Sequence, residues 1–584
     1  MIVGMKKITV LVQTKDVEPT LKVLAGAGVL HIEHQRAPRS ESVSRLEENL
    51  KSLSKAIETL PVVQVQENTV PDYNQASEGI LALLEAREVI REDLKKIKKN
   101  IDLWREWGDF PPKLIEELKD SDIRIYLAKL NKKQLSQVPQ EVVLEEIFKK
   151  GNIFYCALIS KNKTTLPFET LSLPNEGLNE MILKLERAES EIAQIEKRLF
   201  EFAKYKNALS SYRQRLKSLL EFHGVRAGMG SFARLAYLKG YCPDYSVKTL
   251  EQLAEREKWG LLIEEPDKLD NVPTLIKNPR WIQIIEPVFN MIKTIPGYRE
   301  LDISFWFLLF FSVFFGILIG DAGYGLVFLL INLVCHIKFK DSRLDKSVFF
   351  LMYVLSSSAI IWGVLSATFF GKAYLPAGVG PLLPFLKEHS NVQALCFFIG
   401  ALHLSIAHFW RLLRKLPGLN AASEAGWIAV LWAAYFLARL LILGASFPVF
   451  AKWLFGTGTA LIILFSSPRK NILKGIGFGI GDFLLHVINS FTDVVSYIRL
   501  FAVGVATVAV ADAFNQMASS IGYNNLLMGF LTALILLFGH TLNILLGAMA
   551  ILVHGVRLNV LEFSSHLNME WSGTEYAPFK IREE

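Results

Sequence analysis

The chain has 584 residues, too many for one ordinary domain, and 64 basic against 57 acidic residues leave a modest net charge of +7. Almost all charge runs fall in residues 1–300, whereas 301–566 is a succession of apolar stretches. Cys156, Cys242, Cys335 and Cys396 are scattered without metal-ligand or disulfide-framework spacing, which argues against a metal ribbon or a stapled secreted module and suits a reducing cytoplasm.

Lys6 and Lys7 precede only a short apolar run, Ile8 to Val12, ended by Gln13 and Lys15, so no secretory signal is read and this half is expected to stay cytoplasmic. Ile8, Val10 and Val12 alternate with Thr9 and Leu11 as in a strand. A helix over Val17 to Gly26 follows, stopped by Gly26 and Gly28, and then a second strand through Val29, Leu30 and Ile32. From Glu41 to about Trp107, Glu, Lys, Leu and Ile recur at helical spacing, broken near Pro61 to Asp72. A matching stretch from Asn175 to about Phe222 has an apolar seam of Leu183, Leu185, Ile192, Ile195, Leu199 and Phe202. Between them lie strand-like runs at Asp122 to Leu127 and Ile153 to Ile159; beyond them, a strand at Ala233 to Tyr241 and a helix at Val247 to Glu257. The expected architecture is a proximal α/β lobe (1–40 and 223–285), a long antiparallel coiled coil (41–109 and 175–222) and a distal α/β lobe (110–174). An all-α transmembrane domain (286–584) completes it. No phosphate-binding loop, dinucleotide fingerprint, HExxH or nucleophile elbow occurs, and interleaved Glu and Lys do not make a nucleic-acid face. The charged half reads as a spacer that positions something, with no catalytic site, cofactor or metal of its own.

Eight apolar segments follow, at about 303–320, 322–338, 347–370, 391–410, 425–444, 447–466, 483–519 and 525–566. Most approach the ~20 residues that span hydrocarbon. The last two, of about 37 and 42 residues or roughly 55 and 63 Å of helix, must tilt, break or protrude. With the N-terminal half inside, one side carries Lys338, Lys340, Arg343 and Lys346, then Arg411, Arg414 and Lys415, then Arg469, Lys470 and Lys474, then Lys580 and Arg582. The other side has Lys372, Lys387 and Lys452. This asymmetry supports eight crossings and a cytoplasmic C-terminus.

Arginine in mid-membrane costs about 2.5–3.5 kcal/mol on insertion scales, so Arg439, Arg499 and Arg557 each need a reason. Snorkelling suffices for Arg439. Around Arg499, the residues Asp482, His486, Asn489, Asp493, Ser496 and Thr507 share about 80° of helical arc, with Ala502, Ala506 and Ala509 on the other flank. Arg557 shares its face with His554, Ala550, Gly547, Asn543 and Gly539, while Glu562 is offset from that face. Small residues that pack helices and polar ones that glue them are the bland explanation for any one position, but it does not cover two arginines so flanked. A fixed guanidinium lowers a nearby carboxylate's pKa by about 1–3 units and stays charged when desolvated, which suits ion release inside a membrane.

Ser496-Tyr497-Ile498-Arg499-Leu500 and His554-Gly555-Val556-Arg557-Leu558 followed by Glu562, with Pro296-Gly297-Tyr298-Arg299-Glu300-Leu301-Asp302 and Gly320-Asp321-Ala322-Gly323-Tyr324-Gly325, resemble the subunit called a or I of V-type and A-type rotary ATPases. The resemblance covers essentially the whole chain and is to the prokaryotic type. It implies a non-catalytic membrane stator working against a proteolipid ring, with lobes that bind peripheral stalks of E and G subunits and contact with a central-stalk adaptor. It also implies a prokaryotic plasma membrane and H⁺ or Na⁺ as the ion. Arg499 and Arg557 match the family's two essential arginines, and Asp321 sits in a shared turn. Thr507 and Gly547 stand where eukaryotic members carry histidine and glutamate, so His540, Asn543 or residues of other helices are candidates for that half-channel; His403 and His408 are further lining residues or interhelical hydrogen-bonding groups. A secondary transporter with a regulatory coiled coil is the alternative, and a polytopic scaffold or receptor a third reading. The transporter predicts inverted repeats that the eight segments do not display.

Overall fold

A computed structural model describes residues 1–61, 63, 72–161, 166–340, 345–371, 380–465, 472–523 and 525–580; for 472–482 and 484 the description stops at the backbone. The chain divides into two compact units, residues 10–239 with 579–584 and residues 1–9 with 240–578.

The charged unit opens on β1 (Met5–Gln13), whose first residues belong to the other unit. The first helix, α1 (Val17–Ala27), runs through Gly26 and stops at Gly28. There φ is +60°, and the amide donates to the Leu24 carbonyl at 3.0 Å. After β2 (His31–Glu33) come α2 (Glu41–Thr59) and α3 (Tyr73–Trp104), each started by a side-chain cap. The Ser40 Oγ accepts from the Val43 amide, and Asp72 Oδ1 accepts from Asn74 and Gln75. The returning helical stretch is two helices, α4 (Leu178–Ala203) and α5 (Lys206–Gly228), and neither Gly nor Pro marks the junction. Leu53, Ile57, Ile80, Ile195, Leu199, Leu209 and Leu216 form one buried seam among the four. Each such side chain contributes about 1.5–3 kcal/mol on burial. Surface pairs such as Lys98–Glu189 at 2.8 Å add about 0–1 kcal/mol each, so the seam dominates.

The insert is a three-stranded antiparallel sheet ordered β3 (Arg124–Asn131), β5 (Ile153–Ser160), β4 (Val143–Lys150). Both expected strands are present; β4 was missed because Glu145, Glu146, Lys149 and Lys150 erase the apolar alternation on a solvated edge strand. Successive residues serve opposite faces. Ala128, Leu130, Cys156 and Leu158 pack on one side, and Leu127 and Tyr155 meet Trp104 and Trp107 on the other.

In the second unit, β6 (Leu235–Pro243), which begins in the charged unit, leads to α6 (Val247–Glu257) and β7 (Gly260–Glu264). Then come α7 (Ser304–Ile319), α8 (Ala322–Lys338), α9 (Lys346–Ser366), α10 (His389–Lys415), α11 (Ala421–Leu443) and α12 (Val449–Phe465). The last are α13 (Ile472–Ser496), α14 (Ile498–Ile521) and α15 (Leu526–Ala550). Among the described residues, α9, α10, α11 and the stretches Leu485–Ile521 (37 residues) and Leu526–His566 (41 residues) are long and apolar enough to cross a membrane. The pair α7 and α8 turns through 120°. Gly320 adopts φ +66° at this turn, and the buried Asp321 caps α8. Its carboxylate accepts three amides, from Tyr324 at 3.1 Å, Phe370 at 2.9 Å and Gly371 at 2.8 Å. Helices also close up on glycine: a Cβ at Gly504 would lie 2.4 Å from the Ile317 carbonyl oxygen.

Candidate functional site

The long seventh stretch breaks at Tyr497, between α13 and α14. Tyr497 is fully buried, and its hydroxyl meets His403 Nδ1 at 2.8 Å. The ring sits where α10 has no side chain, since a Cβ at Gly400 would lie 2.7 Å from it. His403 is itself stacked between Phe310 and Phe563, with centroids 3.8 and 4.1 Å away. The break therefore rests on a rigid aromatic seat, and Arg499 lies two residues beyond it.

Arg499 Nη2 donates to Glu562 Oε1 at 2.8 Å and Nε to the Ser496 carbonyl at 3.2 Å. The Nε of Arg557 lies 3.4 Å from the same Glu562 oxygen. Ser496 Oγ donates to the Asp493 carbonyl at 2.7 Å and also approaches Glu562 at 3.4 Å. Glu562 is only 5% exposed, so one buried carboxylate serves both arginines. Here the helical-wheel reading is corrected. Arg557 lies between two π-helical segments, Ile551–Gly555 and Leu558–Phe563. A π turn stacks residue i near i+5 rather than i+4, which brings Glu562 back toward Arg557.

The flanks separate as well. On α14, Ala502, Ala506 and Ala509 are exposed, a smooth strip beside Arg499. Gly539, Asn543 and Gly547 face inward instead. Cβ atoms at the two glycines would lie 2.2 Å from Phe514 and 3.0 Å from Ile319. The small face of the last helix thus packs within the chain rather than forming an open track.

Two cavities share no lining residue; the wall of one includes Glu562, the ion-pair partner of Arg499, and the wall of the other includes Leu500, its neighbour in the chain. The first, about 540 Å³, is lined by His486, Asn489, Asp493, Arg557, Glu562 and His566, among others. The second, about 570 Å³, begins at Leu500 and runs along Gly504, Val508 and Asp512 toward His389 and Lys387. Near the second, a polar row crosses helices. Asn543 Nδ2 donates to the Thr507 carbonyl at 2.7 Å and to the Tyr324 hydroxyl at 2.9 Å. That hydroxyl meets His540 Nδ1 at 2.8 Å, and His540 Nε2 meets Asn515 Oδ1 at 3.1 Å. Because the tyrosine hydroxyl accepts from Asn543, it donates to Nδ1, and His540 carries its proton on Nε2.

Of the predicted residues, His486, Asn489 and Asp493 gather at the first cavity, while Thr507, His540 and Asn543 join the far row. The Thr507 hydroxyl is turned back to the carbonyls of Val503 and Leu318. His554 is half-buried on the final helix, and the side chain of Asp482 lies outside the described residues. Arg439 stacks its guanidinium 5.8 Å from the Tyr435 ring. Asp321 is a turn residue in the full sense, its carboxylate spent on three backbone amides. Sequence reasoning missed Tyr324, Asn515, Glu424 and His566. A carboxylate at the very start of the apolar fifth segment was the available signal for Glu424; the others show only in three dimensions.

Comparison with known proteins finds no matching family model. It does find V-type ATP synthase subunit I 1 of Treponema pallidum, 30% identical over 100% of both chains. V-type ATP synthase subunit I of Borreliella burgdorferi is 31% identical over 99% of both. A-type ATP synthase subunit I of Methanocaldococcus jannaschii is 26% identical over 70% of this chain and 64% of its own. Full-length identity of this order, with five helices able to span a membrane among the described residues, is decisive: the chain is a membrane protein and belongs to the subunit I family of V- and A-type rotary ATP synthases.

Proposed function

We propose that this chain is the ion-translocating stator of its rotary complex, with no catalytic centre of its own. In this reading the 540 and 570 Å³ cavities are offset half-channels, and Arg499 is the barrier between them. The reading is supported by two cavities without a common lining residue, one reaching Glu562, which pairs with Arg499, and the other Leu500, beside an exposed alanine strip against which a proteolipid ring can turn. A rotor carboxylate arriving there loses its ion to one cavity, rides past the guanidinium in its charged form, and is reloaded from the other. Glu562 offsets one of the two arginine charges while no rotor carboxylate is present.

The rest of the chain serves that task. Helices α2 to α5 act as an antiparallel coiled-coil arm between a proximal lobe (1–40 and 223–285) and a distal lobe (110–174), which dock the E and G stalk subunits. The membrane domain makes eight crossings with both chain ends cytoplasmic and meets the central-stalk adaptor on that side. The transporter alternative has no observation in its favour. Arg499→Ala in the complete complex, reconstituted in vesicles, tests the reading. Assembly is expected to persist while ATP-driven ion uptake stops; uptake at the parent rate would refute the stator role.

A further inference from the structure

A second row of titratable groups, apart from the Arg499–Glu562 pair, crosses three helices and the end of the chain's last helical stretch. Glu424 on α11 is 1% exposed, and its Oε1 lies 3.0 Å from Arg411 Nη2 and 2.5 Å from Lys415 Nζ. Its Oε2 lies 2.7 Å from His408 Nδ1; His408 Nε2 lies 2.9 Å from His566 Nδ1; and His566 Nε2 lies 3.1 Å from Asp493 Oδ2. His408, His566 and Asp493 also line the cavity that holds Arg557 and Glu562. The row therefore runs without a gap from a pair of basic side chains to the polar face below Arg499.

The protons can be counted. Three contacts between heavy atoms, each a donor facing an acceptor, need three hydrogens. Two neutral imidazoles supply two, and two carboxylates supply none. The row is fully hydrogen-bonded only when it holds one proton more, on a ring or on a carboxyl oxygen. A proton added at the Glu424 end can leave at the Asp493 end as each ring accepts at one nitrogen and releases from the other. Rotation of the rings then resets the tautomers for the next proton. The transfer itself moves no heavy atom. A metal cation following the same line would have to break all three contacts.

We propose that Glu424, His408, His566 and Asp493 form a proton wire along the wall of the first cavity and carry the H⁺ exchanged there. This rests on the stator reading above. His566 is the residue to test, because it joins the wire to Asp493 and is reached from the cavity. His566→Gln keeps one donor and one acceptor but cannot pass a proton between them. His566→Ala leaves a space that added imidazole can fill.

In vesicles carrying the complete complex, ATP-driven proton uptake is followed with a pH-sensitive dye and sodium uptake with radioactive sodium. Both variants are expected to assemble, to pump protons at least tenfold more slowly than the parent, and His566→Ala to regain most of the rate with imidazole. The parent is expected to take up no sodium. His566→Gln pumping at the parent rate, absence of imidazole rescue, or sodium uptake by the parent overturns the wire and leaves the stator reading standing. Loss of assembly in both variants assigns the pair a structural role and also overturns it. A parent complex that moves neither ion defeats the stator reading itself, and the wire with it.

Discussion

Arg499 Nη2 and Glu562 Oε1 stand 2.8 Å apart although 63 residues separate them, and the same oxygen lies 3.4 Å from Arg557 Nε. Two cations share one carboxylate of the same chain. The other oxygen of Glu562 and the Nη1 of Arg499 are buried without a hydrogen-bond partner among the described residues. Each half of the pair thus keeps one hydrogen-bonding atom without a partner among the described residues.

Glu562→Gln should therefore slow pumping without dissolving the complex. It removes a charge-assisted hydrogen bond worth about 1.5–3 kcal/mol, equivalent to roughly tenfold or more in rate if the bond is re-formed once per step. ATP-driven uptake in reconstituted vesicles is the measurement. A rate within about twofold of the parent would show that Arg499 does not depend on its internal counter-ion.

The seat of Tyr497 is predicted to tolerate no added atoms. Gly400→Ala puts a methyl 2.7 Å from that ring, and overpacking of this kind costs about 1–3 kcal/mol. Tyr497→Phe leaves His403 Nδ1 buried without its partner, at a cost of about 1–3 kcal/mol. Both should lower the thermal unfolding midpoint of the purified subunit; an unchanged midpoint in both would mean that the break is held elsewhere.

Asp321→Ala should destabilise without touching transport chemistry. Three amide N–H groups lose their acceptor, for about 2–5 kcal/mol in all. Less assembled complex is expected, with normal pumping per assembled complex. Normal assembly with failed pumping would instead place Asp321 in the ion path.

Cys242 offers a pH test outside the membrane helices. Burial, with the Asp244 charge as a smaller cause, pushes its thiol from the ordinary 9.0 up to about 12. The thiolate is the reactive form, so the native protein should resist iodoacetamide at pH 8 and label only when unfolded. The folded-state pKa is the raised one. The stability contributed by the neutral thiol is complete below pH 9 and drains away between pH 9 and about 12, where the unfolded chain has already released its proton. Mass spectrometry of labelled peptides reads the first effect, and equally fast labelling of native and unfolded protein would contradict it.

Much of this molecule is legible one element at a time. The division into charged and apolar halves, the helix Val247–Glu257 and the run of apolar helices follow from composition and from periods of 3.6 or 2. The alanine strip beside Arg499 follows too, because α14 winds regularly from Ile498 to Ile521. The edge strand Val143–Lys150 does not, because partnership with Ile153–Ser160 rather than its own alternation makes it a strand.

The sequence by itself determined that two arginines lie in apolar helices with polar and small neighbours. Hydrocarbon makes such residues costly wherever they fall, so their presence alone demands a reason. Only the tertiary structure decided which groups answer them. A helical wheel assumes one winding, and the π turns after Ala550 change it, swinging Glu562 into place. Contacts between helices, such as His408 with His566 across 158 residues, leave no trace in local periodicity, because each helix specifies its buried face but not the partner that fills it.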